Sequence, residues 1–207
     1  MNQSLRNILV KLRNRWSFSN TIKQSRDSSV EISGNLIATK VFIEGSSELY
    51  VGKGCRLRNA LIQARGKNNK IVLSENVFFS GKIEVIGDDN EIRIGENTRI
   101  NGADLYAHNG TEISIGLNCL FSTRIDIRTT DSHPIFDSDG NRINPDRDVH
   151  IGNCVWIGRG ASILKGSEIG DGSVIGSMSL VSGDIPNRVI AAGVPAKPIR
   201  NDITWKF

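Results

Sequence analysis

The sequence predicts an all-β protein wound as a single parallel β-solenoid, and three observations point there. First, Val149–Asp184 divides into sixes: VHIGNC VWIGRG ASILKG SEIGDG SVIGSM SLVSGD. The third place of each six is aliphatic (Ile151, Ile157, Ile163, Ile169, Ile175, Val181), and the fourth is often glycine (Gly152, Gly158, Gly170, Gly176). A period of six fits neither the helix nor simple strand alternation. It fits a coil with three flat sides, each sending one aliphatic side chain to the axis. Second, only 38% of residues are hydrophobic and 6% aromatic, too few for a thick layered core but enough for a thin aliphatic column. Third, the 21 glycines suit corners that recur every few residues and need positive φ.

A chain of 207 residues suits one such domain with appendages. Residues 1–29 read as an N-terminal helix and linker, 30–185 as the solenoid, and 186–207 as a C-terminal tail. In MNQSLRNILVKLRNRW, Leu5, Ile8, Leu9, Leu12 and Trp16 form one helical stripe, with Arg6, Lys11, Arg13 and Arg15 largely off it. Two roles stay open for that helix: capping the solenoid's open end, or resting as a basic amphipathic segment on an anionic membrane. Residues 17–29 are polar and read as linker. From Val30 the beat of six is loose: Val51 and Leu57; Ile71, Val77 and Ile83; Ile94 and Ile100; Ile115, Phe121 and Ile127. The phase slips between these sets, so the early coils are expected to carry small corner insertions, such as the polar ARGKNNK and GDDNE. Roughly seven or eight coils fit, stacked about 4.8 Å apart.

Residues 128–148 break the pattern. They are polar, hold two prolines and contain the turn signal Asp139-Gly140-Asn141, so they should leave the solenoid as an excursion. His133 sits there beside Pro134. Function concentrates on loops projected from rigid scaffolds, and an imidazole titrating near neutrality can serve as a general base. The residues alone point first to a histidine bonded within its own loop. Beyond Asp184 the three prolines of IPNRVIAAGVPAKPIRNDITWKF end the repeat, leaving a terminal strand and an irregular tail.

Net charge is +4, consistent with an anionic ligand and too weak to argue for nucleic acid. Cys55, Cys119 and Cys154 form an odd set without metal-ligand spacing and read as reduced structural thiols of a cytoplasmic protein. No apolar run has the length of a signal or membrane segment.

The repeat, the His-Pro loop, VWIGRGASILKGSEIGDGSVIG and VIAAGVPAKPIR together resemble the left-handed β-helix (hexapeptide-repeat) acyltransferases over roughly residues 90–205. RTTDSHPIFDSDGNRIN, IGNCVWIGRGASILKG and the terminal NDITW look most like the O-acetyltransferases of capsule and sialic-acid polymers. The galactoside and maltose acetyltransferases are more distant. The left hand of the coil comes from this resemblance, since ordinary parallel crossovers favour the other hand. The resemblance implies acetyl-CoA as co-substrate, no metal, and His133 as the base acting on the acceptor. It places Trp156 beside coenzyme and acceptor. Gly158 and Arg159 fall at the pantetheine corner, Ser177 and Ser182 on the same arm, and Lys197 and Arg200 near the coenzyme phosphates. Asn101 falls where sugar acetyltransferases bind the acceptor, although its spacing to His133 is two residues longer here. The bland readings are an apolar cover for Trp156, a solvated tail for Lys197 and Arg200, and a corner for Asn101.

The implied chemistry is direct acetyl transfer to a saccharide hydroxyl, since no cysteine has a histidine at a recognisable spacing. Asp131 or a backbone carbonyl would orient the imidazole. A lone solenoid has flat faces and no closed pocket, and the family builds its cleft between subunits of a homotrimer. Arg124, Arg128, Arg142 and Arg147 would suit a polyanionic acceptor or form a solvated surface. The competing functions are N-acetylation of an amino sugar or nucleotide-sugar, a non-catalytic scaffold, and a zinc hydratase. The last needs three converging histidines, and the spacing of His108, His133 and His150 is unlike that of such sites.

Overall fold

A computed structural model describes residues 19–206 of the chain; the helix expected over 1–16 lies outside the described residues. The described regular structure is all strand. Each coil lays strands on three faces in turn. The first face stacks Ser29–Ile32, Glu48–Val51, Lys70–Leu73, Glu91–Ile94, Glu112–Ile115, Val149–Ile151 and Glu168–Ile169 in parallel, with Ile185 bridging onto Ile169. The second runs through Asn35–Ile37, the starts of Arg56–Arg65, Phe78–Ile86 and Arg99–His108, then Leu120–Phe121, Trp156–Ile157, Val174–Ile175 and Ile190–Gly193. The third stacks Thr21–Gln24, Lys40–Ile43, the ends of the same three long strands, Ile125–Arg128, Ser162–Ile163 and Leu180–Val181.

The strand register explains the slipping phase. Leu57 pairs with Phe79 and Phe79 with Ile100, so these coils take 22 and 21 residues; Ile157 pairs with Ile175, a coil of 18. The surplus is local, because the long strands pass from the second face to the third through register shifts, as between Leu57 and Ala60. The inward column survives these insertions. Leu57, Phe79, Ile100, Phe121, Ile157, Ile175 and Ala191 stack down the second face with no exposed surface. Each large aliphatic buried there contributes about 1.5–3 kcal/mol.

Two corner columns hold the coils in register. Between the first and second faces, Asn76, Asn97 and Asn118 sit at φ near +57°, with Cys154 and Arg188 in the same conformation further down. Each donates its backbone N–H to the coil above, Asn97 to Glu75 O and Cys154 to Leu117 O among them. Asn tolerates that conformation better than other residues with a β-carbon. Between the third and first faces runs a buried polar ladder. Asn90 donates to Asn69 Oδ1 (2.9 Å), its own Oδ1 accepts the N–H of Gly110 and Thr111, and Thr111 Oγ1 reaches Thr129 Oγ1 at 2.6 Å. Buried polar groups must be paired, and this ladder ends at the base of the excursion.

Both ends of the solenoid differ from the sequence reading: Ile190–Gly193, within the stretch read as tail, still stacks in parallel on Val174–Ile175. Thr21–Gln24, within the stretch read as linker, pairs in parallel with Lys40–Ile43, so regular structure begins before Val30. Its alternation is weak because, among the described residues, it is the end rung, with one neighbouring strand to bury against. The excursion occupies the interval between Arg128 and Val149, with Arg128 still in strand. The tail forms the strand Ala196–Arg200, antiparallel to Ile190–Gly193.

Candidate functional site

The excursion is an ordered hairpin. Phe136 and Arg142 form an antiparallel bridge, Ile143 N donates to Ile135 O (2.9 Å), and Asp137 Oδ1 accepts the N–H of Asp139 (3.0 Å) and Asn141 (2.9 Å). Its root is tied by Asn144, which is buried while residues 131–143 are all exposed. Asn144 Nδ2 donates to His133 O and to Asp131 Oδ2, both at 2.9 Å, while its Oδ1 accepts Ile135 N at 2.6 Å. Lys165, from the next coil's corner, donates to Asn144 O (3.0 Å) and pairs with Asp131 Oδ2 (2.5 Å). The backbone on either side of His133 is thereby held to the scaffold, and His133 itself is exposed.

Asp131, weighed as an orienter of the imidazole, is committed elsewhere. The hydrogen bond from Lys165, then that from Asn144, holds its carboxyl below the usual carboxylate range. Asn144 and Lys165 escaped the sequence reading; the one available signal was an Asn before Pro145 in an otherwise polar loop.

The remaining candidates gather elsewhere. At the corner between the second and third faces, Gly160 N donates to Thr123 O and Met178 N to Arg159 O, so that corner stacks Arg159 over Ser177. Gly158 is demanded by this stacking: a β-carbon there would stand 2.6 Å from Ser177 N and 2.8 Å from Ile175 O. Asn101 closes the same corner two coils earlier, donating Nδ2 to Phe121 O (3.1 Å) and accepting Arg99 Nε (3.0 Å). Its side-chain groups already serve the solenoid, which favours the corner role. Ser182 follows Leu180–Val181 and so lies at the next corner, on the side of the excursion, away from Ser177.

Trp156 points outward from the second face, 41% exposed. Its ring meets Trp205, with centroids 6.0 Å apart and planes tilted by 47°, and Trp205 Nε1 donates to Cys154 O at 2.7 Å. The tail therefore folds back to set a second indole beside the first. It walls hollows of about 420 Å³, with Asn97, Asn118 and Cys154, and about 330 Å³, with Asp171, Arg188 and Ile203. Trp205 too went unassigned from sequence; nothing in its neighbourhood shows that it returns to a corner 51 residues earlier. Lys197 and Arg200 are exposed on the final strand, in register with Ala192 and Ile190.

Within one chain the candidates thus form two groups. His133 and Ser182 lie by the corner between the third and first faces; Trp156, Arg159, Asn101 and Ser177 lie on or beside the second. The third face stands between them.

Two of the four arginines near the loop are already neutralised. Arg128 makes a two-point pair with Asp126 and lies over the Tyr106 ring (5.0 Å), and Arg142 pairs with Asp146 (3.0 Å). His108 is half-buried, its Nε2 is without a hydrogen-bond partner, and burial lowers its pKa; His150 Nδ1 shares a 2.7 Å hydrogen bond with Ser114 Oγ. Among the described residues no group of three or more His, Cys, Asp or Glu is placed to hold a metal ion. Cys55 and Cys119 are buried, and burial pushes each thiol up to about 11, so neither is a thiolate near neutrality. Cys154 is exposed at a left-handed corner. No helix among the described residues is long and apolar enough to cross a membrane.

Comparison with known proteins adds three findings. The family model "Bacterial transferase hexapeptide (six repeats)" matches residues 148–183. A polysialic acid O-acetyltransferase of Neisseria meningitidis is 33% identical over 147 residues, 69% of this chain and 68% of that protein. Two crystal structures share the whole architecture. The polySia-specific acetyltransferase NeuO has a TM-score of 0.80 and 32% identity, over 91% of this chain and 89% of its own. The polysialic acid O-acetyltransferase OatWY has a TM-score of 0.84 and 28% identity, over 91% of each chain.

Proposed function

This chain belongs to the hexapeptide-repeat acetyltransferases, and from that membership we propose that it moves an acetyl group from acetyl-CoA to a hydroxyl of a sialic-acid-containing bacterial surface polysaccharide, with His133 as general base. The observation that carries the reading is the anchored excursion, which tethers the backbone at His133 to Asn144 and leaves the histidine exposed. Relatives of the same architecture, named for polysialic acid, support the acceptor class.

The thioester supplies an activated acyl group. His133 accepts the acceptor hydroxyl's proton as that oxygen bonds to the acyl carbon. As the carbon–sulfur bond breaks, the imidazolium returns the proton to the departing sulfur. Arg159 and Ser177, stacked at one corner, would flank the coenzyme's arm. Lys197 and Arg200 on the final strand would meet its phosphates, where charge-assisted contacts are strong. Trp156, steadied by Trp205, would form the wall against which coenzyme and sugar meet.

His133 and the Trp156–Arg159 group stand at different corners, so the complete site is proposed to form between copies, in a homotrimer. Acetyl-CoA use fits a cytoplasmic location, with residues 1–16 as a contact to the inner membrane surface.

Thiol release measured with neutral sugars, amino sugars and sialylated saccharides tests this function. Release with the sialylated acceptors, and an ester product, is expected. Release with amino sugars alone would overturn it in favour of N-acetylation.

A further inference from the structure

The strand register aligns one continuous column of outward side chains along the second face. The column reads Asn35, Arg56, Phe78, Arg99, Leu120, Trp156, Val174, Ile190, and then Arg200 on the antiparallel strand. It contains no acidic residue. The other two faces differ. On the third, Lys82 pairs with Glu84 and Arg128 with Asp126; on the first, Arg93 pairs with Glu91, and Glu168 follows His150. Arg56 and Arg99 are exposed, and among the described residues neither has a carboxylate partner.

Arg99 is nevertheless held in place. Its Nε donates to Asn101 Oδ1 (3.0 Å) and its guanidinium lies 4.9 Å from the centroid of the half-buried Phe78 ring. A guanidinium so fixed loses little further freedom on binding, and its planar fork suits a carboxylate. At the ~4.8 Å spacing of strands, Arg56 and Arg99 lie roughly 10 Å apart, and the column from Arg56 to Trp156 is roughly 20 Å long.

From this alternation we infer that the outward column Arg56–Phe78–Arg99–Leu120–Trp156 is a binding track for an acidic polysaccharide, with the arginines taking sugar carboxylates and the apolar side chains taking the C–H faces of the rings. The track leads one strand of acceptor along the solenoid to Trp156. It rests on the acceptor class proposed above and adds where the polymer lies. It also moves the anionic-acceptor role away from Arg128 and Arg142, whose charges are already spent on aspartates.

The test uses the full-length protein and three forms: wild type, Arg56→Gln/Arg99→Gln and Arg56→Lys/Arg99→Lys. Acetyl transfer is measured with a long sialic-acid polymer and with a sialic-acid dimer, at low and high salt, alongside thermal unfolding and native mass. For the glutamine pair, KM for the polymer should rise tenfold or more and lose most of its salt dependence. Its kcat should hold, and KM for the dimer should change less than twofold. The lysine pair should recover part of the loss, since charge remains without the fork. An unchanged polymer KM in a glutamine pair that unfolds like wild type would overturn the track alone. A change in native mass would assign the face to contact between copies and overturn it too. Failure of the wild type to acetylate either sialylated acceptor would instead sink the acceptor class on which the track rests.

Discussion

Asn144 Nδ2 donates a 2.9 Å hydrogen bond to the backbone carbonyl of His133, eleven residues earlier. The same amide group reaches Asp131, and its oxygen takes Ile135 N, so one buried side chain closes the root of the loop on both sides of the imidazole. Asn144→Ala leaves those partners unsatisfied at a cost of about 1–3 kcal/mol, borne by the loop more than by the coils. It should lower kcat more than it raises KM for acetyl-CoA, and speed proteolytic nicking between residues 129 and 148. Kinetics and limited proteolysis of the purified variant check both.

The Lys165–Asp131 pair makes loop anchoring pH-dependent. The folded-state pKa of Asp131 is depressed, so its contribution is fully present above the unfolded value of about 4 and is lost as pH falls through the lower folded value. The stability difference between wild type and Asp131→Asn should therefore shrink progressively as pH drops below about 4. Lys165→Met should abolish most of that pH dependence. Chemical unfolding of the three proteins across this range is the measurement.

Gly158 separates geometry from ligand binding. A methyl group there meets the backbone of the coil below at 2.6–2.8 Å, so Gly158→Ala should destabilise the protein by about 1–3 kcal/mol, as overpacking does. Differential unfolding checks it. A variant of wild-type stability with weakened coenzyme binding would show the glycine to be there for the ligand.

Trp205 should matter to the reaction although it lies outside the repeat. Trp205→Ala removes the bond to Cys154 O and frees the Trp156 ring on one side. KM for acetyl-CoA should rise several-fold with little change in unfolding temperature, and quenching of Trp156 fluorescence by added acrylamide should increase. Unchanged kinetics would reduce Trp205 to a tail anchor.

What the sequence revealed and what it hid follow from the range of the interactions concerned. The period of six was readable because each inward residue, such as Ile157 or Ile163, repeats the same demand for burial. The early coils blurred it only because extra residues enter where long strands turn a corner, as at Leu57–Ala60. The turn at Gly140 was readable because its chemistry is local. Asn144, Lys165 and Trp205 were not, because each acts on backbone or side chains that folding alone brings near, in Trp205's case across 51 residues. The unpaired arginines of the second face were hidden similarly. Arg56 and Arg99 stand 43 residues apart in sequence and two rungs apart in space.

The most direct measurement is the turnover of His133→Ala with acetyl-CoA and a sialic-acid polymer. A fall in kcat on the order of 10²- to 10⁴-fold is expected, the usual worth of a general base, with KM for acetyl-CoA and the unfolding temperature unchanged. Retention of wild-type kcat in a correctly folded variant would remove the imidazole from the chemistry and contradict the mechanism at its root.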